Sequence, residues 1–173
     1  MLSESAKMST AAEARFRINA PNSKLRNVKV IALDGPSEAL VKRLAQSRWN
    51  GASFFTASAF AATPPKSGSN GGFSMSGWLS DLAGRTKDLI DEVHSADLVV
   101  MVATAGENTQ AAALIGEACS LKRVNTTGLI LGGRSATDEM LAKTLSRLRP
   151  WSLMLVIANG EDYIEDMLIA LRA

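Results

Sequence analysis

Cysteine, histidine, net charge and long apolar runs are all in short supply in this 173-residue chain, and each shortage closes off a class of function. Cys119 is the only cysteine, so no internal disulfide forms and no set of thiolates is available for a structural zinc. A reducing, cytoplasmic setting is the natural expectation. His94, the only histidine, lies near the end of a predicted helix beside Ser95 and Asp97, which invites a hydrolase reading. A cation favoured near a helix C-terminus is the plainer account, and no Ser-His-Asp set or nucleophile elbow can be assembled from the motifs. No catalytic residue and no metal site are assigned. The 19 basic and 17 acidic residues are spread along the chain and leave a net charge of +2, so neither nucleic acid nor an anionic membrane is an expected partner. The apolar runs fall well short of the roughly 20 residues that span a bilayer. The first twenty-odd residues carry Glu4 and Glu13 and lack the continuous apolar stretch of a signal peptide.

What the chain does have is the composition of one soluble globular domain, with 46% apolar residues. Residues 1–26, rich in Ser, Ala, Lys and Asn, read as a partly disordered arm with some helical character near 10–17. From 27 to 173 a single domain is expected. "VKVIAL" is a buried-strand run, and "SEALVKRLAQ" is a helix with Leu40, Val41 and Leu44 on one face and Ser37 as its cap. "ASFFTAS" at 52–58 is the next strand. The stretch 63–77, dense in Pro, Gly and Ser, is a long loop with a "GSNGG" segment, and Phe73 and Trp78 lie at its end. Trp78, Leu79, Leu82, Leu89, Ile90 and Val93 are spaced to share the face of one long helix. Strands follow at 98–103, 126–133 and in "SLMLVIANG", separated by helices over 109–121 and up to Pro150, and a last helix places Ile164, Met167, Leu168 and Leu171 together. The acidic cluster Glu161, Asp162, Glu165 and Asp166 is the solvated opening of that helix, and Cys119 is a small buried hydrophobe. Five apolar strands alternating with helices predict an α/β fold: a three-layer, doubly wound, mainly parallel and Rossmann-like sheet whose ligands bind at the carboxyl ends of the strands.

In this order "NVKVIALDG", "RTKDLIDEVHSADLVVMVATAG", "ALIGEACSLKRVNTTGLILGG" and "LRPWSLMLVIANGEDYIEDML" resemble, in spacing and apolar pattern, the nucleotide-binding half of the FtsZ/tubulin family from about residue 27 onward. That resemblance implies the topology of the family's N-terminal domain and a phosphate cradle at two glycine loops. The first loop reads Asp34-Gly35-Pro36-Ser37 here, where Pro36 has no N–H to give and Asp34 adds negative charge. The signature loop reads Ala105-Gly106-Glu107-Asn108-Thr109-Gln110, with Glu107 and Asn108 placed to cap the helix after it. Asn159 matches the first residue of the family's Asn-Asp base-contact pair, and Gly160 stands for the second.

These departures tell against GTP binding in the family's manner, and no cofactor is predicted. No counterpart of the family's central helix or second domain follows residue 173, so the resemblance implies neither GTP hydrolysis nor that family's filaments. The candidate ligand residues are Asp34, Gly35, Ser37, Gly106, Glu107, Asn108, Thr109, Arg134 and Asn159. The expected role is a non-catalytic binding or self-assembling module, with another copy or another protein as partner. The alternative is a small-ligand or nucleotide binder, or an enzyme, that uses the crevice at the strand ends.

Overall fold

The computed structural model describes residues 26–58, 79–132 and 136–173. The expected arm, apart from Arg26, the loop 63–77 with Phe73, Trp78, and the candidate Arg134 lie outside those residues. The described chain runs β1 (Val28–Ala32), α1 (Gly35–Leu44), β2 (Ala52–Thr56), β3 (Leu79–Asp81), β4 (Thr86–Lys87), α2 (Leu89–His94), β5 (Leu98–Thr104), α3 (Ala111–Lys122), β6 (Asn125–Leu131), α4 (Asp138–Leu148), a 3-10 turn (Arg149–Trp151), β7 (Met154–Ala158) and α5 (Glu161–Ala170). The strands form one sheet in the order β4-β3-β2-β1-β5-β6-β7. β2, β1, β5, β6 and β7 are mutually parallel, and β3 and β4 add an antiparallel edge.

The fold is thus a three-layer α/β domain of the general Rossmann-like kind, with a core on each face of the sheet. In β5 the alternation is direct. Val99, Met101 and Ala103 join Ile31, Leu89, Val93, Ile115 and Cys119 under α2 and α3, and Leu98, Val100 and Val102 join Val30, Leu40, Val41, Ile164 and Leu168 under α1 and α5. A strand covered on both faces is favoured as a near-continuous apolar run, and "LVVMVA" carries no polar residue. Burying each of Met101 and Leu129 contributes about 1.5–3 kcal/mol. Among the described residues no helix is long and apolar enough to cross a membrane.

One expected element is replaced. From Leu79 to Val93 the expected long helix is instead the hairpin β3–β4 followed by the short α2. Asp81 turns the chain: its Oδ1 accepts from Ala83 N at 3.0 Å and Arg85 N at 2.8 Å, and Gly84 sits at φ +80°. Asp88 then starts α2 by accepting from Ile90 N at 2.8 Å. An Asp that bonds its own backbone, followed by a Gly in the left-handed region, is a turn signature that outweighs helical spacing of leucines.

Candidate functional site

The chain crosses the sheet outward from β1 through β2 to β4, then returns to build β5, β6 and β7 on the other side of β1. The order therefore reverses between β1 and β5, and the crevice at their carboxyl ends is where open α/β sheets bind ligands. Asp34 stands at this point, 4% exposed, as the N-cap of α1. Its Oδ1 accepts from Ser37 N at 2.8 Å and from the Thr104 hydroxyl at 2.9 Å, and its Oδ2 accepts from Thr104 N at 2.8 Å. Ser37 closes the box: its Oγ accepts from Asp34 N at 3.1 Å and its hydroxyl donates to Asp34 O at 3.0 Å. Gly35 opens the helix, and Pro36 follows within its first turn. The amides and hydroxyl that would hold a bound anion are taken by the protein's own carboxylate, which links the end of β5 to the start of α1.

The corner after β5 serves a different contact. Gly106 is at φ +88°, and a Cβ there would come within 2.5 Å of Met140 Cε on α4. Its N–H donates to Thr144 Oγ1 at 2.9 Å, which ties the corner to α4. Glu107 is exposed, and Asn108 Oδ1 accepts from Gln110 N at 3.0 Å to close its own turn. The expected capping of α3 by Glu107 and Asn108 is corrected: α3 begins at Ala111, and Gln110, its N-cap, makes no side-chain capping bond. The reason is the left-handed Gly106, which turns the corner toward α4 before the helix starts. Thr109 is buried, with a hydroxyl that has no hydrogen-bond partner among the described residues, and lines a groove of about 360 Å³ with Gln110, Ala113, Ser146, Arg147, Pro150 and Trp151.

A separate crevice of about 260 Å³ opens between α1 and α5 at the strand ends. Pro36, Leu40, Leu131 and Ala158 form its apolar lining, and Thr104, Gly132, Asn159, Gly160 and Glu161 supply polar groups. Gly160 is the extended N-cap of α5 and gives that helix no side-chain cap, and Glu161 pairs with Arg43 of α1. Of the residues expected in one site, Asp34, Gly35, Ser37 and Asn159 border this crevice or the corner beside it. Gly106, Glu107, Asn108 and Thr109 belong to the corner that leads to α4.

No protein-family model matches the chain, and no curated protein matches it. The matching solved structures include the translation elongation factor SelB of Methanococcus maripaludis in complex with the GTP analogue GppNHp, with a TM-score of 0.49 at 9% identity over 85% of this chain and 33% of that one. The apo form of the same factor gives 0.41 at 16% identity, over 85% and 36%. The chain spans about a third of the length of those structures. The likeness concerns the general fold alone. The FtsZ/tubulin resemblance is corrected: no family model supports it, and the two solved structures named are of an elongation factor. The physical reason is that buried strand, small-residue corner and amphipathic helix recur in every doubly wound sheet, so their spacing identifies the architecture and not the family.

Several lining residues carried no signal in the sequence. Thr104 ends a buried strand and looked like its last β-branched residue, yet it is the partner of Asp34 from 70 positions away. Leu40, Leu131 and Ala158 read as core because they are apolar, and only the packing shows them at an opening. His94 is exposed at the end of α2, while Ser95 Oγ donates to Glu92 O at 2.9 Å and Asp97 Oδ2 accepts from Asn27 N at 2.8 Å, so the three do not form a catalytic set. A second polar cluster lies between α1 and the hairpin, where Glu38 accepts from the Thr56 hydroxyl at 2.9 Å and from Ser58, and pairs with Lys42 at 2.6 Å. The Lys42 ammonium, followed by the Ser58 hydroxyl, holds the Glu38 carboxyl below its ordinary range.

Cys119 lies in the core, where burial pushes its thiol up to about 12. At pH 8 the thiolate fraction is then on the order of 10⁻⁴, and the sulfur is also shielded. The native protein is expected to resist a thiol reagent such as DTNB and to react in full once unfolded in guanidinium. Stoichiometric labelling of the folded protein within minutes would contradict this placement.

Proposed function

We propose that this domain binds a small organic ligand in the crevice between α1 and α5, and that a nucleoside or a similar flat heterocycle is the class that fits best. The observation that carries the reading is an open, partly apolar crevice at the carboxyl ends of β5, β6 and β7, beside a helix N-terminus that lacks a side-chain cap. Its volume of about 260 Å³ lies just below the range of ligand sites, about 300 to 1,000 Å³, and suits a single ring system better than a dinucleotide. Pro36 and Leu131 offer an apolar surface to such a ring, with the buried Leu40 and Ala158 behind them. The Asn159 amide supplies a donor and an acceptor for its edge, and the free N–H groups of α5 would take a carbonyl or hydroxyl oxygen. Polyphosphate is disfavoured. Asp34 already fills the anion position at α1, Pro36 lacks an N–H, and Glu161 and Asp162 add negative charge at the start of α5.

A thermal-shift series with adenosine, guanosine, their mono- and triphosphates and a set of aromatic metabolites tests the reading. A ligand present at about 100 times its Kd stabilises by about 2.7 kcal/mol, which for a chain of this size raises Tm by roughly 5–10 °C. Leu131→Trp, which fills the crevice, is expected to remove the shift while leaving the fold intact. The reading fails if no compound moves Tm, or if Leu131→Trp responds as strongly as the wild type.

A further inference from the structure

We infer that β7 is a self-pairing edge through which two copies of this chain form one continuous sheet. Among the described residues β7 is the last strand on its side, and "SLMLVIA" at 152–158 contains no charge, proline or glycine. Natural edges are usually shortened, charged or broken, and an apolar, uninterrupted edge is left open for another strand. Leu153 is 79% exposed, Met154 39% and Ile157 42%, so large apolar side chains are exposed on both faces of this edge, Leu153 and Ile157 on one and Met154 on the other.

The hydrogen-bond parity of the sheet shows which groups are free. Ala105 N donates to Leu131 O, so in β6 Thr127, Leu129 and Leu131 direct their backbone groups to β5, and Thr126, Gly128 and Ile130 direct theirs to β7. With Gly128 opposite Leu155 and Ile130 opposite Ile157, the inward-bonded residues of β7 are Met154, Val156 and Ala158. Leu155 and Ile157 therefore turn both N–H and C=O away from the sheet. A two-fold axis through Val156 sets Leu155 of one copy opposite Ile157 of the other, twice, and each such pair exchanges both of its backbone bonds. The same axis sets Val156 against Val156 and Met154 against Ala158, so every cross-strand pair is apolar and no like charges meet.

The far edge fits no such partner. β4 is only Thr86–Lys87, flanked by the Asp88 cap of α2. Pairing β7 with β4 would also be head-to-tail and open-ended, whereas β7 with β7 is isologous and closes as a dimer.

Light scattering across a concentration series tests this with Ile157→Pro, Ile157→Lys and Leu121→Lys. Ile157→Pro deletes an outward N–H at an edge where proline is tolerated, and Ile157→Lys keeps that N–H but adds a charge opposite Leu155 of the second copy. Leu121, 69% exposed on α3 away from the edge, is the control. The expected result is a mass of twice the 18.3 kDa chain for the wild type and Leu121→Lys, and a shift to monomer of at least tenfold in the dissociation constant for both Ile157 variants, with unchanged circular dichroism. A wild type that stays monomeric at every concentration overturns the inference. So does a dimer that persists in folded Ile157→Pro and Ile157→Lys.

Discussion

Asp34→Ala is expected to lower the stability of the domain by about 3–5 kcal/mol, which for a chain of this length means a fall in Tm of roughly 6–20 °C. The loss has separable parts. Removing an N-cap acceptor costs about 0.5–2 kcal/mol. Thr104 then keeps a backbone N–H and a hydroxyl at a largely buried site with no acceptor, and stranding a buried donor costs about 1–3 kcal/mol. Asp34→Asn retains one carbonyl oxygen for these donors and should lose about half as much. The reading of the carboxylate as an internal stand-in for an anion adds a further expectation. Inorganic phosphate or sulfate should recover more stability in Asp34→Ala than it adds to the wild type, because only the variant has an empty anion position at the start of α1. Urea unfolding of the three proteins, with and without phosphate, provides the measurement. A loss below about 1 kcal/mol for Asp34→Ala would mean that the link between β5 and α1 is not held by this side chain.

That link also marks the limit of what the sequence discloses. The apolar runs "VKVIAL", "LVVMVA" and "TTGLIL" are long enough and β-branched enough to announce a parallel sheet covered on both faces, and each appears as a central strand. The helices with a regular apolar face, α1, α4 and α5, are legible for the same reason. Residues 79–87 are not, because Leu79, Leu82 and Leu89 satisfy a helical spacing while Asp81 and Gly84 settle the matter locally as a turn. At the site, Asp34 and Ser37 were visible as unusual residues at a strand-to-helix corner. Their engagement with Thr104 was not, since it joins residues 70 apart whose pairing depends on the β1–β5 register. The FtsZ/tubulin resemblance failed through the same limitation. It rested on alternation and spacing, which every fold of this kind shares, while the residues specific to that family are not present. The edge β7 reads in sequence as one more buried strand, because "SLMLVIA" is as apolar as β5, and only the strand order places it where solvent can reach Leu153 and Ile157.

Gly116→Val is expected to cost about 2–4 kcal/mol, against the direction that helix propensity alone would give. Gly116 lies in the middle of α3, where any other residue except proline forms helix more readily, by up to about 1 kcal/mol for alanine. Space decides the sign. A Cβ on Gly116 would stand 2.4 Å from Trp151 Cβ and 2.7 Å from its Cγ, atoms near the backbone that a change of rotamer cannot clear. Trp151 ends the 3-10 turn that feeds β7, and its carbonyl accepts from the Thr126 hydroxyl of β6, so α3 can yield only by moving the entry to the edge strand. Gly35→Ala gives the contrast. Its Cβ would meet nothing within 4 Å, and the substitution should be neutral or stabilise by up to about 1 kcal/mol. Because the strain in Gly116→Val falls on the start of β7, self-association should weaken along with Tm, although no edge residue has changed. Thermal melts and light scattering of both variants read the two effects together. A Gly116→Val protein as stable as the wild type would show that α3 and the turn separate freely, and that the placement of β7 does not depend on their close approach.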